Sequence, residues 1–200
     1  MGPGACGLPS GWVLTVGSGG ISLDKGTTTA ITWYHVYAYN NAGTTAIEMV
    51  TTVPSQYAYP GHHKTGDTSR RYLGSVRSNA STDFYRQTLI DGKCFYMGDW
   101  ASQRVLAGGT ATDFVAVSLA GVAPVTMTDI KFGAYNAGGS GIAGVYPRNE
   151  NATGNAAIRP NNMTILEMPV LAYPNCYYKF TSTPGGAQLF LDTGGYNYAR

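Results

Sequence analysis

Two histidines stand side by side at His62 and His63 in the stretch YPGHHKTGD, in a chain that holds only one other, His35. Imidazole nitrogens bind zinc, but a structural site wants four ligands, and adjacent side chains diverge. No third ligand stands at a recognisable spacing, so a metal would need three chains meeting at a symmetry axis, one histidine from each. The expected reading is a solvated turn with no bound metal. Gly139, Gly141 and Gly144 spell G-x-G-x-x-G in GSGIAG, a spacing that cradles a pyrophosphate where a strand precedes it and a helix follows. Here VYPRNENATGN follows, with Pro147 where the helix would begin. With no helix N-terminus to hold a phosphate, the run reads as a glycine-rich loop.

Nucleophilic and acid–base chemistry find little footing. There is no G-x-S-x-G elbow, and three histidines make a general base scarce. His35, between Tyr34 and Val36 in a strand, reads as a core or interface residue. Glycoside hydrolysis needs two carboxylates across a groove, and among the eleven acidic residues no pair stands out. Asp83, Asp91 and Asp99 fall near turns, where Asp bonds its own backbone. The expectation is a protein that is not an enzyme and uses no cofactor. The segment RRYLGSVRSNASTDFYRQ, from Arg70, concentrates arginines. Strand alternation places Arg71, Leu73 and Ser75 on one face and Tyr72, Gly74 and Val76 on the other, and Asp67 is near enough to pair with an arginine.

Aromatic residues carry more weight. Tyr occurs 15 times, and Tyr57, Tyr59, Trp100, Tyr135, Tyr196 and Tyr198 lie close to Gly, Pro or Asn in segments that read as loops. Planar rings flanked by amides stack on sugar faces or anchor a protein interface; the plainer reading of each is a ring covering a strand edge. Composition points the same way. Charged residues make up 12% of the chain and glycines number 27, about half and nearly twice the usual shares respectively. The surface must then be built from neutral polar and aromatic groups. A net charge of +2 provides no long-range field, so nucleic acid is not an expected partner. No apolar run is long enough for membrane insertion, and no charged n-region precedes an apolar h-region. Cys6, Cys94 and Cys176 are odd in number and far apart, and read as reduced thiols rather than a disulfide framework.

The elements that must position these residues are strands. AITWYHVYAY, NNAG and TAIEMVTTV read as a hairpin closed by Pro54, and Asp91-Gly92 supplies a type I′ turn between Tyr85 to Ile90 and Lys93 to Met97. A third hairpin is expected in YYKFTSTPGGAQLFLD. With further short runs at RVL, FVAVSL, MTDIKFGAY and MTILEMPVL, about ten short strands and little or no helix predict an all-β fold of antiparallel β-sandwich or jelly-roll-like units. A break near LAGGTAT suggests an N-terminal unit, 1–105, and a C-terminal unit, 106–200, or else one domain.

Three segments, WYHVYAYNNAGTTAIEMVTTVPS, KTGDTSRRYLGSVRSNASTDFYRQ and the terminal LFLDTGGYNY, resemble in their order the C-terminal modules of bacteriophage tail fibres and related virion structural proteins. The resemblance implies a homotrimeric, all-β virion component, made in the host cytoplasm and carried on the particle surface or tail, whose partners are other virion proteins and a bacterial surface glycan or protein receptor. It implies that Arg70, Arg71 and Arg77 are strand framework. The function expected is host attachment by a tail-fibre or spike tip through Tyr57, Tyr59, Trp100, Tyr135, Tyr196 and Tyr198. The alternatives are a capsid decoration protein without a receptor and, further off, a polysaccharide depolymerase.

Overall fold

The computed structural model describes residues 6–7, 13–14, 16, 18–23, 26–56, 62–149, 156–171, 173–186 and 188–199. Among the described residues the regular secondary structure is antiparallel strand except for one 3-10 turn, Trp100–Gln103. No helix there is long and apolar enough to cross a membrane. The chain divides into two compact units, Met1–Tyr85 with Ala199–Arg200, and Arg86–Tyr198. The expected break near residue 106 lies further along. The intervening residues include a hairpin whose second strand is hydrogen-bonded into the sheet of the C-terminal unit, and that pairing assigns them there.

The first unit holds the strand pair β1 (Cys6–Gly7) and β2 (Val13–Leu14), then β3 (Trp33–Asn41), β4 (Thr44–Val50), β5 (Pro54–Gln56), β6 (His62–Lys64) and β7 (Asp67–Arg77). The last five form one sheet in the order β4-β3-β7-β6-β5. Between β3 and β4 the two-residue loop Ala42-Gly43 takes positive φ at both positions (48° and 89°), the twist-matched turn that lets a hairpin close tightly. The Gly43 amide donates to Asn40 Oδ1 at 2.7 Å. The first predicted hairpin is thus present as read.

β7 departs from simple alternation. Its register against β3 slips between the pairs Val36↔Gly74 and Tyr37↔Tyr72, so Leu73 is an extra residue in the ladder. A bulge of this kind shifts the strand by one residue and turns the following side chains over. Tyr72 and Ser75, expected on opposite faces, therefore share the buried one, and Tyr72 Oη lies 2.7 Å from Ser75 Oγ. Arg70 sits outside: its guanidinium lies 3.8 Å from the centre of the Tyr39 ring, 3.3 Å from the Glu48 carboxylate and 3.8 Å from that of Asp67. Lys64 completes the group, donating to Glu48 at 2.9 Å. The charge of Arg70 is thus met within the chain rather than left for an acidic ligand.

The second unit contains β8 (Gln87–Ile90), β9 (Lys93–Tyr96), β10 (Arg104–Gly109), β11 (Val115–Ser118), β12 (Met127–Ala137) and β13 (Ala143–Tyr146). It ends with β14 (Ala156–Ile158), β15 (Asn162–Pro169), β16 (Asn175–Phe180) and β17 (Gln188–Tyr198). One sheet runs β15-β12-β17-β9-β8, with β10 also on β17; the other runs β11-β16-β13-β14. Alternation in β12, β15 and β17 sends Ile130, Phe132, Ala134, Leu166, Met168, Leu189 and Leu191 inward, where the second sheet presents Val117, Val145, Cys176, Tyr178 and Phe180. The two sheets meet across this core: a methyl at Gly109 would lie 2.7 Å from the Tyr178 ring, and Asn136 donates from Nδ2 to the Ile158 carbonyl at 3.1 Å. This is a β-sandwich. The strands exceed the ten expected because several are only two to four residues long, too short to show a period in sequence.

Asp91 and Gly92 (φ 49° and 74°) close the second predicted hairpin between β8 and β9. The third does not form. β16 pairs with β11 and β13, whereas β17 joins the opposite sheet. The segment TSTPGGA is therefore a connection between sheets, and the turn residues that mark it do not distinguish that from a hairpin tip. Gly139 and Gly141 lie in the connection that precedes β13, but Gly144 belongs to β13 itself, so the glycine-rich loop is shorter than expected and strand rather than helix follows it.

Cys94 and Cys176 are buried free thiols, and burial pushes each up to about 12. Thiolate is the reactive form, so neither should react with a thiol reagent at neutral pH while the unit is folded. Guanidinium should release two additional fast-reacting thiols per chain, which a timed disulfide-exchange assay would count.

Candidate functional site

The sheet β15-β12-β17-β9 has one face in the core and one outside, and the outer face gathers two of the aromatic residues singled out in the sequence, Trp100 and Tyr135. Its form follows from how β17 is shared. β9 pairs with the end of β17 at Gly195 to Asn197, and β10 pairs with its first part between Leu189 and Asp192. The chain must cross from one partner to the other through residues 97–103, and it does so with the 3-10 turn. Asp99 caps that turn, accepting from the Ala101 amide at 3.0 Å, and Gln103 is buried beneath it. Trp100 is thereby laid on the sheet where β17 lacks side chains.

That opening is made by glycine. A Cβ at Gly194 would run into the indole, and one at Gly133 would lie 2.9 Å from it and 3.2 Å from Met163 Cε. Beside the indole along β12 stands Tyr135, 42% exposed. Its ring lies 6.4 Å from that of Phe190, tilted by 31°. The Arg104 guanidinium sits 5.1 Å from the Phe190 centroid and grips Asp192 with two hydrogen bonds, 2.6 and 3.0 Å. Met163 and Ile165, from the outer face of β15, are 61% and 62% exposed and pair in register with Tyr135 and Gly133. The result is a contiguous aromatic and apolar strip with one held arginine. Single exposed hydrophobic residues are ordinary, but a cluster of rings, Met and Arg is the composition of contact surfaces.

Further along the same face the floor drops. Gly195 stands in one cross-strand row with Phe95, Lys131 and Glu167. A shallow pocket of about 140 Å³ opens there, also lined by Lys93 and Asn197. Asn197 donates from Nδ2 to Glu167 Oε1 at 2.7 Å.

The other singled-out residues fare differently. Tyr57 and Tyr59 fall outside the described residues. Tyr196 and Tyr198 do not sit in exposed loops; they are the end of β17, 2% and 6% exposed, stacked edge-on to each other at 6.0 Å and, for Tyr196, to Tyr96 at 6.2 Å. The bulge at Gly194 and Gly195 is the reason, since it swings the residues beyond it onto the core side. Tyr135 lies in a strand rather than a loop, yet points outward. His62 and His63 belong to β6 rather than to an open turn, and consecutive strand positions send their rings to opposite faces. His62 stands edge-on to Tyr72 at 6.1 Å; burial, then the nearby Arg71 charge, lowers its pKa. Among the described residues no group of three or more His, Cys, Asp or Glu is placed to share a metal ion.

One constellation was not visible in the sequence. His35 Nδ1 lies 2.7 Å from Ser75 Oγ, which also contacts Tyr72 Oη. A serine against a histidine is the geometry of an activated nucleophile, but Ser75 is 1% exposed and His35 2%, so no substrate can reach the pair. Burial holds the imidazole down to about 4, hence neutral. This is a satisfied polar network inside the first unit. Its members lie forty residues apart and are aligned by the Leu73 bulge, which no local pattern announces.

Fold and face together define an all-β protein of two units whose second unit offers an aromatic, glycine-floored sheet surface. No protein-family model matches the chain, and no curated protein is significantly similar to it.

Proposed function

We propose that this protein is a bacteriophage virion component that works by non-covalent contact, as the receptor-binding module of a tail-fibre or spike tip, with the outer face of the β15-β12-β17-β9 sheet as its contact surface. The observation that carries the reading is the strip formed by Trp100, Tyr135, Phe190, Met163 and Ile165. Its rings are held by glycine gaps and by Arg104, so little side-chain freedom is lost on binding. The resemblance of three segments to tail-fibre modules gives the biological setting. It also suggests a homotrimer, in which three weak faces act together and avidity rises without new contacts. Other virion proteins would hold the module in place.

A second reading, a capsid decoration protein, draws on Met163 and Ile165. Both are large, apolar and well exposed on the edge strand β15, a position that suits docking on another protein more than on a hydrated glycan.

One experiment separates the two. Purified protein is titrated against bacterial envelope fragments and, separately, against phage capsids, with wild type compared with the variant Tyr135→Ala/Ile165→Thr. Both substitutions are exposed, so folding should be kept, and circular dichroism confirms it. Envelope binding that weakens about tenfold or more in the variant, roughly 1.4 kcal/mol or above, supports attachment; capsid binding with the same loss supports decoration. Binding of either material that the variant leaves unchanged removes this face from the function.

A further inference from the structure

We propose that the pocket over Gly195 is a subsite for an acidic sugar residue, one carrying a carboxylate on a pyranose ring; the inference rests on the reading of this sheet face as a contact surface and names the class of ligand it takes.

The sheet itself builds the site. Phe95 on β9, Gly195 on β17, Lys131 on β12 and Glu167 on β15 lie in one row across four strands. Neighbouring strands are about 4.8 Å apart, so Phe95 and Lys131 rise on either side of a gap roughly two strand spacings wide. At the centre of the row there is no side chain. Gly195 can carry none, because a Cβ there would strike the Cys94 carbonyl oxygen. The gap is thus fixed by the backbone, and its width is that of one sugar ring. In the next row Lys93 pairs with Asn197, so the pocket is walled by one exposed aromatic ring, two ammonium groups, an amide and a carboxylate.

The two lysines decide the ligand's charge. Every other cation with a close acidic neighbour on this face is already held: Arg104 binds Asp192 through two hydrogen bonds. Lys93 and Lys131 take part in no ion pair among the described residues. Of the acidic groups nearby, Glu167 accepts from Asn197 within the pocket and Asp129 from the Thr128 hydroxyl at 2.8 Å, so two ammonium groups stand against one lining carboxylate. An entering carboxylate would therefore meet two free ammonium groups. Phe95, 40% exposed, offers a ring face to the apolar side of the pyranose. The remaining lone pairs of Glu167 and the Asn197 carbonyl accept from ring hydroxyls. A phosphate would use the lysines but leave Phe95 and Glu167 without a role, and a neutral sugar would use the reverse set.

The test is a titration of the full chain, followed by nuclear magnetic resonance, with galacturonic acid, with galactose and with inorganic phosphate. Galacturonate should shift the amide signals of Gly195 and Asn197 and bind at least tenfold more tightly than galactose or phosphate; the variant Lys93→Gln/Lys131→Gln should lose that preference while keeping its fold. Equal shifts with phosphate would mean a bare anion site, and equal shifts with galactose a neutral-sugar site; either overturns the assignment, as does no shift at these residues. The same variant is then offered envelope fragments. If it binds them as wild type does, while Tyr135→Ala/Ile165→Thr does not, the acidic-sugar subsite fails and the contact-face reading stands. If neither variant changes binding, both fall.

Discussion

Replacing Gly195 by alanine is expected to destabilise the second unit by about 4 kcal/mol or more, among the largest effects a single methyl can have. The methyl would be placed against the carbonyl oxygen of Cys94 on the paired strand, and that oxygen belongs to the backbone, so no rotamer change relieves the clash. Relief needs β9 to move off β17. That movement would break the ladder from Lys93 to Phe95 and open the packing of Cys94, Tyr96, Tyr196 and Tyr198, all 8% exposed or less. Gly66 provides the comparison. It also has positive φ (82°), but nothing lies within 4 Å of where its Cβ would be, so Gly66→Ala costs only the backbone strain, about 1 kcal/mol. Urea unfolding of the two variants followed by far-ultraviolet circular dichroism checks both figures. Equal midpoints for the two would show that β9 and β17 do not approach as closely as described. The same glycine floors the pocket, so in this sheet stability and access for a ligand come from one close approach of two backbones.

The fold class was legible because strands of seven or more residues advertise themselves. WYHVYAY is mostly aromatic and β-branched, Asp91-Gly92 carries the residue types that positive φ favours, and in the Ala42-Gly43 turn Gly43 does so while Ala42 does not. Pairing partners were not legible. TSTPGGA looks like a hairpin tip and yet links two sheets, since Pro and Gly report that the chain turns but not which sheet it turns to. Bulges caused the other misplacements. At Leu73 and at Gly194–Gly195 one extra residue reverses the faces, which put Tyr72 beside Ser75 and took Tyr196 and Tyr198 into the core. Of the candidate contact residues, Trp100 and Tyr135 come together on one face. Their signal in the sequence was only proximity to Gly and Asn; the glycines beneath the Trp100 indole, Gly133 and Gly194, lie far from it along the chain and are brought together by the β12–β17 ladder.

The second large effect concerns acid. His35 is 2% exposed, and burial lowers its pKa from 6.5 to about 4, while in the unfolded chain the ring titrates at its ordinary value. Between these limits the unfolded state binds the proton and the folded state does not, so stability rises with pH across that window. The contribution is fully present above about 6.5 and is lost as pH falls toward 4. Two and a half pKa units correspond to about 3 kcal/mol, a large share of the stability of an ordinary domain. The loss should appear in the first unit, whose core the His35–Ser75–Tyr72 network occupies. His35→Gln keeps a side chain able to bond Ser75 but removes the titration. Urea midpoints measured from pH 7.5 to 4.5 should fall steeply for wild type and distinctly less for the variant, in which His62, its pKa also lowered by burial, still titrates. Carboxylates such as Asp67, whose pKa the Ser69 hydroxyl lowers first of all, lose their ionisation further down the scale and act alike on both proteins. Parallel slopes for the two would mean that the imidazole is already reached by water in the folded unit. The first unit would thus hold firm near neutrality and loosen in acid, through a histidine that is 2% exposed.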